Sequence, residues 1–140
     1  MTMKRLLLAA IPVIALYACC KEVCEDQNLL VRTQNMQAVD TDTVFLIRYK
    51  PYSRFSEKID TVKRYSLVPV GGTTQPSAFF DYLDFNYDWK IVIPALNKEY
   101  FISYIETEKK PCHCEGGKYR AVKRFELNNV KVEGSTVVLN

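Results

Sequence analysis

Leu83-Asp84-Phe85-Asn86-Tyr87-Asp88-Trp89-Lys90-Ile91-Val92-Ile93 carries the pattern that decides the fold. Leu83, Phe85, Tyr87, Trp89, Ile91 and Ile93 occupy every second position, with Asp84, Asn86, Asp88 and Lys90 between them. Successive side chains of an extended chain point to opposite faces, so the run has one apolar face and one largely wet face. It reads as one long strand, or as two strands broken near Asn86–Asp88.

The same period recurs on either side. Thr43 to Lys50 places Phe45, Ile47 and Tyr49 on one side. Tyr100, Ile102 and Tyr104 alternate with Phe101, Ser103 and Ile105, which predicts a strand buried on both faces. Tyr119, Ala121, Phe125 and Leu127 share a side, with Lys123 as the exception. β-branched and aromatic residues fill these segments, and turn chemistry separates them. Gly71-Gly72 and Pro76 mark a loop, and Pro94 to Lys98 a bend. Glu115-Gly116-Gly117 and Asn128-Asn129 are reversals, and Glu133-Gly134 is expected to close a last hairpin onto Val137-Val138-Leu139. Pro51 to Lys58 is the least strand-like internal stretch, with room for one helical turn. The expectation is an all-β domain, a single antiparallel β-sandwich over residues 28–140, with a small open β-barrel as the alternative. The order of turns and the single tryptophan in a middle strand resemble an immunoglobulin-like or fibronectin-type sandwich, without the cysteine–tryptophan–cysteine spacing of antibody domains.

The N-terminus addresses the chain elsewhere. Lys4 and Arg5 precede an uncharged run from Leu6 to Ala18, interrupted by Pro12 and shorter than the roughly 20 residues that span a bilayer. A basic head, a short apolar body and a small residue before a break form a secretory signal. Leu16-Tyr17-Ala18-Cys19 resembles the lipobox of bacterial lipoproteins, in which the cysteine receives the lipid. Lys21-Glu22 resembles the short signal that sends some Bacteroidota-type lipoproteins to the cell surface. The resemblance implies a signal peptide over 1–18, a lipidated tether over 19–27, and a domain lipid-anchored to the outer membrane of a bacterial envelope on its periplasmic or surface face. A plain secreted protein with a structural Cys19 is the alternative. Loss of Lys4 and Arg5 with the leader takes the 19 bases to 17 against 16 acids, which removes the charge argument for a nucleic-acid partner.

Four cysteines remain beside Cys19: Cys20, Cys24, Cys112 and Cys114. An even number in an exported chain points to disulfides, and a long-range bridge from Cys24 to Cys112 or Cys114 is favoured. Cys112-His113-Cys114 suggests zinc, but consecutive residues rarely surround one ion and His113 is the only histidine, so no metal is expected there. Neighbours in an extended chain also point apart, which disfavours a Cys–His nucleophile pair. Asp84, Asn86 and Asp88 echo the opening of a calcium loop, but Trp89 stands where the turn glycine is needed and Ala95 where the bidentate acid belongs. Whether they hold calcium in another geometry stays open.

No catalytic residue and no cofactor is expected. Asp81 and Asp84 are the acids nearest to a hydrolytic pair, and nothing in the pattern separates them from surface acids. The densest aromatic stretch, Phe79 to Trp89, places Phe80 and Tyr82 opposite the apolar face, beside Asp84, Asn86 and Asp88. Exposed rings among carboxylates and amides suit a glycan or a protein partner. The sequence thus predicts a non-catalytic anchored binding or scaffold module. A structural subunit of a surface complex is the alternative, and a small hydrolase a more distant one. Lys109-Lys110, Lys118, Arg120, Lys123 and Arg124 are read as a solvated sheet face.

Overall fold

In the computed structural model, residues 24–65, 80–112 and 116–140 are described. Cys19, Cys20, Lys21-Glu22, His113 and Cys114 lie outside them, as do the signal peptide and the Gly71-Gly72 and Pro76 loop. Alternation becomes nine strands: β1 (Leu29–Thr33), β2 (Val44–Tyr49), β3 (Lys58–Arg64), β4 (Phe80–Leu83), β5 (Asp88–Ile93), β6 (Lys98–Pro111), β7 (Lys118–Leu127), β8 (Val130–Glu133) and β9 (Thr136–Leu139). They form two unclosed sheets, one of three strands in the order β4-β1-β9 and one of six in the order β3-β2-β5-β6-β7-β8. All pairings between these strands are antiparallel except β1 with β9, which run parallel.

The deciding stretch is two strands, and they belong to different sheets. Asp84 makes the break: its Oδ1 accepts from the Asn86 backbone N–H at 2.9 Å and from Asn86 Nδ2 at 2.7 Å, a turn closed by its own side chain. The apolar face survives the crossing. Leu83, Phe85, Trp89, Ile91 and Ile93 are all buried in one core with Leu29, Val31, Ile102, Phe125, Val137 and Leu139. Trp89 Nε1 donates to the Asp84 carbonyl at 2.8 Å, so the buried indole keeps a hydrogen bond.

Other expectations shift in register or partner. Phe45, Ile47 and Tyr49 do share a face, but it is the outer one, while Val44 and Leu46 enter the core. Glu133-Gly134 does not close a hairpin: β8 pairs with β7, and the chain crosses after Gly134 (φ 101°) so that β9 pairs with β1 in the other sheet. Asn128 and Asn129 (φ 51° and 66°) do form the two-residue reversal between β7 and β8, a geometry that favours asparagine. Pro94–Leu96 is a 3-10 turn ended by a left-handed Asn97.

Two bulges shape the long β6–β7 hairpin. Ser103 faces Glu126 and Glu106 faces Arg124, so Tyr104 and Ile105 together oppose one residue. Tyr104 takes the left-handed position of that bulge (φ 49°). Alternation predicts Tyr104 on the same side as buried Tyr100 and Ile102, but the extra residue turns it outward, 47 % exposed. Farther along, Thr107 faces Val122, which leaves Lys123 unpaired with β6 and accounts for its break in the apolar alternation.

The segment before β1 is fastened rather than loose from Cys24 onward. Cys24 and Cys112 are joined as a disulfide, Cα–Cα 5.8 Å. Asp26 accepts from the Arg120 backbone N–H at 2.7 Å and from its Nε and Nη2 at 2.9 and 2.7 Å, and the Gln27 N–H donates to the Arg120 carbonyl at 2.8 Å. The disulfide bridges residues 88 apart, and closing a loop of that size stabilises by about 4–5 kcal/mol in the chain-entropy picture. Cys112→Ser is therefore expected to lower the unfolding free energy by about that amount in urea titrations under non-reducing conditions; an unchanged midpoint would show that the bond does not restrain the unfolded chain.

Candidate functional site

The loop between β2 and β3 folds back over the outer face of the six-stranded sheet. The Lys50 N–H donates to the Glu57 carbonyl at 3.0 Å, and Lys50 Nζ pairs with Glu57 at 2.5 Å, closing the loop at its base. Ser53 Oγ and Ser56 Oγ donate to the Lys50 and Ser53 carbonyls at 2.7 and 2.6 Å. No helical turn forms. Instead Tyr52, Arg54 and Phe55 adopt left-handed φ of 61°, 52° and 60°. Phe55 packs edge-on against Tyr49 and Phe101, with ring centroids 5.3 and 5.1 Å away, which pins the loop to β2 and β6.

Among the described residues, the left-handed residues other than glycine and asparagine are Tyr52, Arg54, Phe55 and Tyr104, and all four line one cleft of about 300 Å³. A residue with a Cβ gives up roughly 1–2 kcal/mol in this conformation. Strain of this kind persists only where the surroundings enforce it, and it gathers at functional sites. For Tyr52 and Tyr104 the enforcing group is Asp88. It begins β5 on the face opposite Trp89 and is 4 % exposed. Its Oδ2 accepts from the Tyr52 backbone N–H at 3.0 Å, and its carboxylate also accepts from the Tyr104 N–H. One carboxylate thus holds two strained tyrosine backbones. Their rings meet edge-to-face at 6.0 Å and stand open to solvent, Tyr52 72 % exposed.

Ser103 and Asn129 complete the cleft. A second cleft of about 220 Å³ shares Tyr52 and Asp88 and adds Asn86, Thr107 and Arg120. Arg120 is already bound to Asp26, and its guanidinium lies 4.6 Å from the Phe85 ring centroid.

Of the binding residues expected from sequence, Asn86 and Asp88 therefore meet at this site. Asp88 departs from the wet strand face assigned to it, because the loop covers it. Asp84 is used in its turn with Asn86 and does not converge with Asp88, and no group of three or more metal-ligating side chains is found among the described residues. Tyr82 is 62 % exposed but lies on β4 of the small sheet, in a separate groove beside Asp26 and Thr136. Phe80 lies in β4, with its side chain outside the described residues. Asp81 pairs with Arg64 at 2.7 Å across the two sheets, so it and Asp84 have separate structural partners. The basic residues of β7 are partly neutralised, Arg120 by Asp26 and Arg124 by Glu106 at 2.7 Å. Tyr52, Arg54, Phe55 and Tyr104 have no sequence signal of their own, since their left-handed backbones arise from tertiary contacts.

Burial pushes the Asp88 carboxyl above the ordinary carboxylate range, against the two backbone N–H groups that pull it down. A carboxyl with a raised folded-state pKa binds its proton more tightly when folded. Its contribution to stability is complete below the unfolded value and is lost as pH rises through the folded one. Asp26 and Glu106, held below the usual range chiefly by hydrogen bonds from Arg120 and Arg124, have the opposite dependence. Asp88→Asn leaves those pairs in place. As pH rises above about 4, the ordinary aspartate value, the variant is expected to gain stability relative to the parent, measured by urea titration; parallel profiles would show that the folded chain holds the Asp88 proton no more tightly than the unfolded one. Compared with models of known protein families, with curated proteins and with solved structures, the chain matches none.

Proposed function

We propose that the chain is an exported bacterial lipoprotein, anchored through Cys19 to the outer membrane, whose β-sandwich is a non-catalytic binding module with the Tyr52–Tyr104–Asp88 cleft as its binding face. The observation that carries the binding role is the gathering of four strained, non-asparagine residues around one buried acid, with two tyrosine rings left open to solvent.

The anchor rests on the Leu16–Cys19 motif and its apolar leader. The Cys24–Cys112 disulfide supports it, because such bonds persist in oxidising compartments outside the cytoplasm. Cys24 follows Cys19 by five residues, so the clamp keeps the far end of the β6–β7 hairpin within about 17 Å of the lipidated residue. Assembly by strand addition receives less support at β3, one edge of the six-stranded sheet, where Lys58, Asp60, Lys63 and Arg64 discourage edge pairing.

In a detergent phase-separation assay on the native host, the protein is expected in the detergent phase, with Cys19 acylated as its first residue by mass spectrometry. Cys19→Ser is expected to move it to the aqueous phase or leave the leader uncut. Detergent-phase partitioning of a variant whose leader has been removed overturns the anchor.

A further inference from the structure

We infer that the cleft around Tyr52 and Tyr104 binds a neutral oligosaccharide, seating one pyranose ring on each side of Tyr52. This rests on the cleft being the binding face and names the class of ligand it takes.

Charge narrows the choice first. The floor of the cleft is the Asp88 carboxylate and its wall includes Arg54, one charge of each sign. A strongly cationic ligand meets Arg54, and a strongly anionic one meets Asp88. A neutral ligand with many hydroxyls meets neither penalty.

The surface chemistry narrows it further. Tyr52 and Tyr104 present exposed rings at an interplanar angle of 65°. The axial C–H face of a pyranose is apolar and flat enough to lie on such a ring, and covering it removes apolar area from water at about 25 cal/mol per Å². Around the rings stand the Ser103 hydroxyl and the Asn129 amide, each both donor and acceptor. Sugar hydroxyls are also donor and acceptor at once, so a mixed set suits them better than a row of one kind.

Size points to more than one ring. The main cleft, at about 300 Å³, is at the low end for ligand sites. The adjoining cleft of about 220 Å³ shares Tyr52 and Asp88 and offers Asn86 and Thr107. A linear glycan crossing Tyr52 uses both. The loop is already held by Asp88 and Phe55, so little ordering remains to be done on binding, and weak individual contacts can then suffice.

The test is a calorimetric titration of the full acylated protein in detergent micelles. The probes are cellohexaose, xylohexaose, maltohexaose and hexa-N-acetylchitohexaose as neutral glycans, an oligogalacturonate and a chitosan oligomer as charged ones, and short mixed-sequence peptides. Saturable binding is expected from at least one neutral hexasaccharide. Tyr52→Gly and Tyr104→Gly are expected to weaken it by roughly tenfold or more, and Tyr82→Ala to leave it unchanged. Glycine accepts a left-handed backbone, so the two glycine variants remove the ring without adding strain, and thermal melts confirm their folding. Binding only of charged oligomers or peptides, lost in Tyr52→Gly, overturns the neutral-glycan assignment and leaves the cleft as binding face. If no probe binds, or if binding ignores both glycine variants, both readings fall.

Discussion

The turn at Asp84 is the constraint on which the sandwich depends. Leu83 closes a strand of the three-stranded sheet and Asp88 opens one in the six-stranded sheet, yet both strands must deliver their apolar side chains to a single core. The Asp84 carboxylate shapes the crossing by taking both nitrogens of Asn86, and its carbonyl fixes the Trp89 indole. A period of two survives this change of sheet only if the connection returns the chain with the same face inward. A one-residue slip would send Trp89, Ile91 and Ile93 to solvent and bring Lys90 inside.

The same phase relation explains how the cleft arises. With Trp89 committed to the core, its neighbour Asp88 has to emerge on the outer face. There it meets the β2–β3 loop and the bulge of β6, and its two oxygens suit two backbone N–H groups that ordinary sheet geometry leaves without partners. The acid is buried by what it organises. Core packing and the candidate site are therefore linked through adjacent residues of one strand, and neither can shift register without the other.

This division also explains what could be read from the sequence. Alternation at 83–93, 43–50 and 119–127 is a local property, and it revealed strands in each stretch and the core face of 83–93, whereas at 43–50 the residues it grouped form the outer face and Val44 and Leu46 enter the core. The two-residue asparagine turn after Leu127 was legible because its backbone needs a residue tolerant of positive φ. Gly134 was misleading: a glycine between strands marks a reversal, but not which sheet the next strand joins, and the parallel partner of β9 lies about 100 residues earlier in β1. Tyr104 was misplaced because an added residue in a strand leaves no trace in composition. The stretch from Pro51 to Lys58 was read as room for one helical turn for a related reason. Its left-handed tyrosine and phenylalanine are unfavourable locally and exist only because Asp88, Tyr49 and Phe101 hold them, contacts 36 or more residues away for two of the three.

The handling of charge differs between the cleft and the rest of the surface. Arg48, Lys50, Arg64, Lys90, Arg120 and Arg124 each have an acidic partner within salt-bridge distance. Most of these pairs are exposed, and such pairs contribute little to stability, on the order of 0–1 kcal/mol. Asp88 is the exception: a carboxylate withdrawn from water and held by backbone dipoles, with Arg54 in the same cleft wall but outside ion-pair distance. Pairing the two directly would have been the simpler way to satisfy both. Instead the acid is satisfied by backbone N–H groups, and both residues line one small aromatic cleft.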